Sequence, residues 1–328
     1  MYNDRRAREQ ALRIQAVAPA ETGAHGASSS LAKVLWLLEH HGLPADARIQ
    51  HQADWLSGRL TGNFGHSDHN NALKLGFDVV ELCWPQWLTE LALPWAMLPQ
   101  VSTPGAELGT VQTDVAEQLG LGAGTKVCAG TTDSVAAFVA SGASEPGDAV
   151  TSLGSTLVLK LLSDKPVFSA NHGVYSHRLG NRWLAGGASN SGGAVLRKYF
   201  SDAQLQSMTP KLNPDQPTGL DYYPLIERGE RFPINDPELA PRIDPVPNDP
   251  VMFFQALLEG ISDIESRGYS LLAQLGAPAV RQVFTAGGGS HNAAWTRIRE
   301  KRLGVPVKPA RSADAAFGTA LLAASCYP

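Results

Sequence analysis

The sequence predicts an α/β protein, and two observations predict it. A strand-like run that enters a glycine-rich loop and continues into a helix-like stretch occurs three times, at Gly130, Gly186 and Gly287. That pattern belongs to α/β proteins that hold phosphates at helix N-termini. The second observation is the segment from Val127 to Lys160. Its short apolar run ends in Gly130-Thr131-Thr132-Asp133, a helix-like stretch follows, and Pro146-Gly147-Asp148 breaks it. Two β-like runs come next, Ala149 to Leu153 and Leu157 to Leu162, joined by Gly154-Ser155-Thr156. A hairpin tip of that kind can point backbone N–H groups at an anion. A carboxylate able to take a proton, near an anion cradle, is what phosphoryl transfer to a hydroxyl needs.

The elements read in order as follows. Residues 1 to 20 look helical and then loose. Ser28-Ser29-Ser30 precedes the apolar positions Leu31, Val34, Leu35, Leu37 and Leu38, with Gly42 after, which predicts a capped amphipathic helix with a glycine stop. Asp54-Trp55-Leu56 heads a short helix ending near Gly62. His66, Asp68, His69 and Asn70 then cluster; without an HExxH pattern or carboxylate partner, a polar loop satisfying its own backbone is expected rather than a metal site. Leu82 to Trp95 reads as packing, and Leu98 to Gly109 as a loop turned at Pro104-Gly105. Val111 to Leu119 reads as a helix and Lys126 to Ala129 as a strand. The GLGAG between them precedes a strand instead of following one, so it is not a dinucleotide fingerprint.

Beyond the hairpin, Val174 to Ser176 and Trp183 to Ala185 read as strands, followed by GGASNSGG and the helical AVLRKYF. Residues 208 to 250 are crowded with proline and long for a loop, a length that marks either a functional segment or a surface excursion. Phe253 to Leu275 predicts a long amphipathic helix stopped by Gly276 and Pro278. A strand from Val280 to Ala286 enters Gly287-Gly288-Gly289, and a helix spans Ala293 to Leu303. Gly304 to Val307 reads as a short strand, and Ala313 to Ala324 as a closing helix in which Gly318 permits close packing. None of the glycine loops is GxxxxGK[ST], so this is not a P-loop protein.

Composition excludes several classes. With 328 residues there is room for two domains or one large one. At 43% hydrophobic and 18% charged, with net charge -4, the chain is ordinarily globular and carries no electrostatic footprint for nucleic acid or an anionic membrane. No apolar run approaches the roughly 18 residues of a membrane span. Cys83, Cys128 and Cys326 are far apart and form no CxxC, against a disulfide framework or zinc site and in keeping with a reducing, cytoplasmic compartment. The arginine-rich start MYNDRRAREQALRIQ carries Asp4 and Glu9, which favour a solvated helix over a transit peptide.

Taken together, SSSLAKVLWLLEH, QADWLSGRLTGN, AGTTDSVAAFVASG, VTSLGSTLVLK, GGASNSGG, TAGGGSHNAAWTRIREKRLGVPV and AAFGTALLAA resemble the FGGY carbohydrate kinases of the actin/hexokinase-like superfamily. The pieces stand in family order up to residue 324, so the resemblance covers nearly the whole chain. NALKLGFD, TSLGST, GVYSHRLG, GLDYYPL and GERFPINDP are similar to the D-ribulose kinases of that family, formerly grouped with xylulose kinases. The resemblance implies an actin-like ATPase (ribonuclease H-like) fold with two lobes around a cleft. Residues 1–143 would form an N-terminal lobe on the sugar side and residues 144–328 a C-terminal lobe on the nucleotide side. It implies ATP and Mg²⁺ as cofactors and a sugar as the other small-molecule partner. Asp133 matches the catalytic base, which also lies against the sugar; Gly154, Ser155 and Thr156 match the second phosphate loop; Gly287, Gly288 and Gly289 match the adenosine loop; Asn292 and Trp295 match the adenine pocket. Read without the resemblance, Asp133 would cap a helix and Trp295 would be a core residue.

The sequence departs from the family at its start. The family opens on a strand bearing an Asp-x-Gly-Thr/Ser turn that serves Mg²⁺, and no such turn stands near this N-terminus, where Met1-Tyr2-Asn3-Asp4 aligns with an interior position of the first lobe. The first lobe is therefore expected to be incomplete, and the metal-handling residue is unassigned. A start at an internal Met, a complementing second chain and a decayed relative are all compatible with that reading. The expected function is ATP-dependent phosphorylation of the terminal hydroxyl of a ketopentose, D-ribulose before D-xylulose. A pseudokinase-like nucleotide-binding module is the alternative, and a homodimer or complementing chain remains open.

Overall fold

The computed structural model describes residues 4–44 and 46–325. Cys326 and the Met1-Tyr2-Asn3 stretch lie outside the described residues. In chain order the helices and strands begin with α1 Arg8–Val17, α2 Ser30–His40, α3 Gln52–Thr61, β1 His66–Asp68 and α4 His69–Ala72. There follow β2 Gln100–Ser102, β3 Glu107–Thr110, α5 Thr113–Leu119, β4 Lys126–Cys128 and α6 Asp133–Ala140. Next come β5 Asp148–Leu153, β6 Leu157–Ser163, β7 Tyr175–Leu179, β8 Arg182–Ser189, α7 Gly193–Tyr199 and α8 Asp202–Met208. The chain closes with α9 Pro250–Gln274, β9 Gln282–Ala286, α10 Ala293–Leu303, β10 Val307–Pro309 and α11 Ala315–Ala324.

These elements fall into two compact units. Among the described residues, one comprises 4–44 and 46–139 with 177–181 and 315–325; the other comprises 140–176 with 182–314. In the first, Ser29 caps α2 by accepting the Ala32 amide, and the helix buries Leu31, Ala32 and Leu35. These pack with Ile14 of α1 and with Leu75, Leu88 and Leu91. α3 ends on Gly62 in the left-handed conformation, where glycine carries no Cβ penalty. Gly318 of α11 lies so close to α6 that a Cβ there would stand 1.8 Å from the Ala136 carbonyl oxygen, so only glycine fits.

The second unit is built on a six-stranded sheet in the order β10-β9-β5-β6-β8-β7. β5 pairs parallel to β9 and antiparallel to β6, and β6 pairs antiparallel to β8. The 25 residues of α9 bury Phe254, Leu257, Leu258, Ile261 and Ile264 in the core that also holds Leu157, Leu159, Leu161 and Trp295. Burial on that scale is the main stabilising term of the unit.

Three expectations are corrected. Leu98 to Gly109 is not all loop: Gln100–Ser102 pairs parallel to β1, and Glu107–Thr110 pairs antiparallel to β4. Gly186 is not in a loop either. β8 runs through Gly186 and Gly187 to Ser189, because a Cβ on Gly186 would meet the Leu159 carbonyl at 2.0 Å and one on Gly187 the Phe232 ring at 2.4 Å. Those glycines serve close strand and ring packing. Within Leu82 to Trp95, Leu88 and Leu91 are buried as expected, but Leu82 and Trp95 are exposed.

Candidate functional site

The hairpin tip is the candidate anion cradle. β5 and β6 pair up to Leu153 opposite Leu157, leaving Gly154-Ser155-Thr156 as the connection. The first amides of α7 are spent on this tip: Gly193 N–H donates to the Gly154 carbonyl at 2.8 Å and Ala194 N–H to the Ser155 carbonyl at 3.1 Å. A planar trans peptide sets its N–H opposite its C=O. With the Gly154 and Ser155 carbonyls turned to α7, the amides of Ser155 and Thr156 face away from it. Among the described residues neither amide has a hydrogen-bond partner. Two neighbouring unpaired N–H groups on a fixed turn are donors awaiting an anion.

Glycine is required behind the tip. Gly192 has φ +143°, and a Cβ on it would lie 2.8 Å from the Ser155 carbonyl oxygen; a Cβ on Gly193 would lie 2.7 Å from that of Gly154. The last strand-to-loop junction is tight in the same way. Gly287 has φ +84° and a Cβ on it would lie 2.7 Å from the Leu153 carbonyl oxygen, while a Cβ on Gly289 would strike the Trp295 ring at 2.6 Å. Gly288 between them meets nothing within 4 Å. Its open side lines a cavity of ≈560 Å³, together with Leu153, Gly154, Ser155, Gly289, Asn292 and Trp295. A pocket of this size suits a small organic ligand. Thr156 and Gly287, expected at the same site, are not among its lining residues.

Asn292 caps α10 by accepting the Trp295 amide at 2.9 Å. Trp295 is 2% exposed and its indole N–H donates to Ser262 Oγ at 3.0 Å. It is a core residue that reaches the cavity with part of its surface, so the two readings of it coexist. Sequence reasoning missed the rest of the wall, where Leu196 and Arg197 of α7, Asp202, Leu205 and Gln206 of α8, and Phe254 of α9 line the cavity. Their apolar members read as ordinary core in a helical pattern, and nothing in spacing separates a core leucine from a pocket leucine.

A buried polar network joins the strands that carry both loops. Arg299 of α10 and Glu265 of α9 are both fully buried. The guanidinium grips the carboxylate with two bonds of 2.6 and 2.7 Å and donates a third, at 2.7 Å, to Thr285 Oγ1 on β9. Thr151 Oγ1 on β5 donates to Glu265 Oε1 at 2.5 Å and meets the Tyr269 hydroxyl at 2.7 Å. A bidentate pair with its remaining sites satisfied is the arrangement in which buried charge is tolerated.

In the first unit, Asp133 is the first residue of α6, exposed, and accepts the Ser134 amide at 2.7 Å. Thr132 precedes it and its carbonyl accepts the amides of Val135 and Ala136, so the helix start fixes the direction of the Asp133 backbone. Thr131 Oγ1 engages the Asn70 side-chain amide at 3.0 Å, tying this start to the polar loop at 66–71. There Asp68 is buried and accepts the Asn70 and Asn71 amides at 2.8 and 3.1 Å and Asn71 Nδ2 at 2.5 Å. Burial nevertheless pushes its carboxyl up to about 6. Burial of His69 works the other way on a base and pushes it down to about 4, with Nε2 against the Arg178 carbonyl at 3.2 Å. Asp68 serves the loop's own backbone as expected, whereas His69 and Asn70 reach the Arg178 carbonyl and Thr131. Among the described residues no three His, Cys, Asp or Glu side chains gather as a cation site, and no helix is long and apolar enough to cross a membrane.

Residues 6–140 match the N-terminal domain model of the FGGY family of carbohydrate kinases, and residues 149–327 match its C-terminal domain model. An L-fuculokinase of Salmonella typhi is 26% identical over 313 residues, covering 85% of this chain and 61% of that protein. An autoinducer-2 kinase of Klebsiella pneumoniae is 27% identical over 326 residues, covering 90% of this chain and 60% of that one. The chain thus spans about six-tenths of the length of the curated relatives it matches. Among solved structures, a xylulose kinase from Brucella ovis superposes with a TM-score of 0.88 at 24% identity, covering 99% of this chain and 70% of that one. That likeness is one of fold, and it places the chain among actin-like ATPase folds.

Proposed function

This chain belongs to the FGGY family of carbohydrate kinases, and from that premise we propose that it transfers the γ-phosphoryl group of ATP to the terminal hydroxyl of a ketopentose, D-ribulose first and D-xylulose next. One observation carries the nucleotide half of the reading: the unpaired Ser155 and Thr156 amides stand on a turn that borders a ≈560 Å³ cavity together with Gly288 and Gly289. Backbone donors fixed in advance neutralise phosphate charge without reorganising, the main catalytic demand of phosphoryl transfer. The apolar wall of Leu196, Leu205 and Phe254 suits a nucleobase.

Asp133 is the base in this reading. Its exposed carboxylate accepts the proton of the sugar hydroxyl as that oxygen attacks phosphorus, and the bond to the departing ADP oxygen breaks. Mg²⁺, brought with ATP, would supply neutralisation of phosphate charge. The residues described make no cation cage of their own, and no step here is assigned to the ion. The choice of pentulose rests on the sequence similarity of NALKLGFD, GVYSHRLG, GLDYYPL and GERFPINDP to the D-ribulose kinases. The relatives named for other sugars make a panel the proper test.

The experiment is a coupled ADP-release assay with ATP and Mg²⁺, run against D-ribulose, D-xylulose and L-fuculose. It is paired with calorimetric titration of ADP. The proposal expects ADP to bind and release to depend on a pentulose, D-ribulose giving the highest kcat/KM. Binding of ADP without turnover of any sugar favours the nucleotide-binding-module reading, and absence of both contradicts the assignment.

A further inference from the structure

The segment between α8 and α9, residues 209–249, holds few regular elements, yet it grips the turn at the end of β8 that α7 links to the hairpin tip. Its central contact is Glu230, which is 2% exposed. One carboxylate oxygen accepts the Asn190 amide at 2.7 Å and the Arg231 amide at 2.8 Å; the other accepts Ser189 Oγ at 2.5 Å and the Tyr223 hydroxyl at 3.0 Å. Four donors converge on one buried carboxylate, and two of them belong to the turn at the end of β8. Asn190 Nδ2 adds a bond to the Gly229 carbonyl at 2.9 Å, and Ser191 Oγ one to the Pro224 carbonyl at 2.6 Å. Residues 189, 190 and 191 are thus each held by the excursion.

What the turn does next links this to the tip. The Ser191 carbonyl accepts the Leu157 amide at 2.7 Å, and two residues later Gly193 and Ala194 donate to the Gly154 and Ser155 carbonyls. Those bonds set which way the Ser155 and Thr156 amides face. The excursion is itself fastened to α9: Gln255 Nε2 donates to the Asn213 and Gln216 carbonyls at 3.0 and 2.9 Å, and Glu259 accepts the Thr218 amide and hydroxyl.

We infer that residues 209–249 are a brace for the phosphate hairpin and that Glu230 is its positioning residue, acting through the Ser189–Ser191 turn on the Gly154–Thr156 tip. Glu230 touches no substrate in this account. A carboxylate suits the task because it is acceptor-only and takes four donors at once. A glutamine in its place turns an NH₂ toward two of those donors and cannot satisfy them.

The inference rests on the nucleotide reading of the tip, so its test has an arm that needs no nucleotide. Glu230→Gln and Glu230→Ala would be compared with Asp221→Asn, which breaks an exposed Arg242 bridge in the same excursion, and with Val167→Ala, a core change in the same unit. Amide hydrogen exchange at Leu157, Gly193 and Ala194 is read below the melting range. Loss of a buried charge-assisted acceptor should speed it by roughly tenfold or more in both Glu230 variants. Both controls should leave it unchanged. Exchange unaltered at these amides in the Glu230 variants overturns the brace. So does equal acceleration in Val167→Ala at matched stability, since the effect is then general loosening. Calorimetric titration of ADP forms the second arm: Glu230→Ala should weaken binding by about tenfold, with a smaller loss in Glu230→Gln. If the unaltered chain does not bind ADP, the nucleotide reading falls while the exchange arm still decides the brace.

Discussion

The two candidate reaction groups are held in contrasting ways. The candidate phosphate hairpin is shaped by backbone: carbonyls turned to α7, glycines at Gly192, Gly193, Gly287 and Gly289 where no Cβ fits, and a buried Arg299–Glu265 clamp that ties its β5 to β9. Asp133 and the loop at 66–71 are shaped by side chains, with Asn70, Asn71, Asp68 and His69 bonding to nearby backbone and to Thr131. A cradle of N–H groups must be rigid and keeps the same charge at any pH, whereas a base must be exposed to a proton. The first region should therefore fail by packing and the second by protonation.

The largest effect is expected at the clamp. Arg299→Met leaves Glu265 buried without its cation and should cost roughly 3–5 kcal/mol of stability. Adding Glu265→Leu should return most of that loss, as measured by urea denaturation. A double variant no more stable than the single would show that the two groups do not act as a pair.

A smaller effect separates neighbours in one loop. Gly287→Ala must place a Cβ against the Leu153 carbonyl at a left-handed φ, and should cost about 2 kcal/mol or more. Gly288→Ala meets open space and should stay within about 0.5 kcal/mol. Equal losses at both sites would contradict the packing account of this loop.

The smallest net effect belongs to the loop at 66–71, where two shifts oppose. Asp68 rises to about 6 from an ordinary value near 3.8, so the folded state holds a proton that the unfolded state has lost. Its contribution to stability is fully present below that lower value and is lost as pH rises through 6. His69 falls to about 4 from 6.5, so the unfolded state binds the proton first. Its contribution is present above 6.5 and is lost as pH falls through 4. Between pH 4 and 6 the two slopes nearly cancel, so this loop should add little net pH dependence to the parent chain there. Asp68→Asn should expose the His69 slope, with stability falling in acid by on the order of 3 kcal/mol. His69→Gln should expose the opposite slope. Parallel profiles for all three chains would contradict the assigned shifts.

The same contrast explains what could be read from residues alone. The hairpin at Gly154, the helix from Ala293 to Leu303 and the close packing at Gly318 were legible because glycine and periodic apolar positions report backbone constraint directly. Gly186 misled for the same reason: a glycine crowded by Leu159 inside a strand is written like one in a loop. The strands at Gln100–Ser102 and Glu107–Thr110 were hidden because three or four residues beside Pro104-Gly105 carry no measurable alternation. The cavity wall at Leu196, Leu205 and Phe254 was invisible because it is written as core. Glu230 lay in a stretch whose proline content speaks only of irregular backbone, and its four donors come from positions 1, 7, 40 and 41 residues away.

The most direct measurement of the whole account is Asp133→Asn, followed by ADP titration and by sugar-dependent ADP release. The account predicts ADP affinity within about twofold of the parent and turnover lower by roughly a thousandfold or more, since a base acts in the transition state and not in nucleotide binding. Turnover that survives the substitution, or ADP affinity that falls with it, would contradict the assignment of Asp133 as a base that acts independently of the cradle.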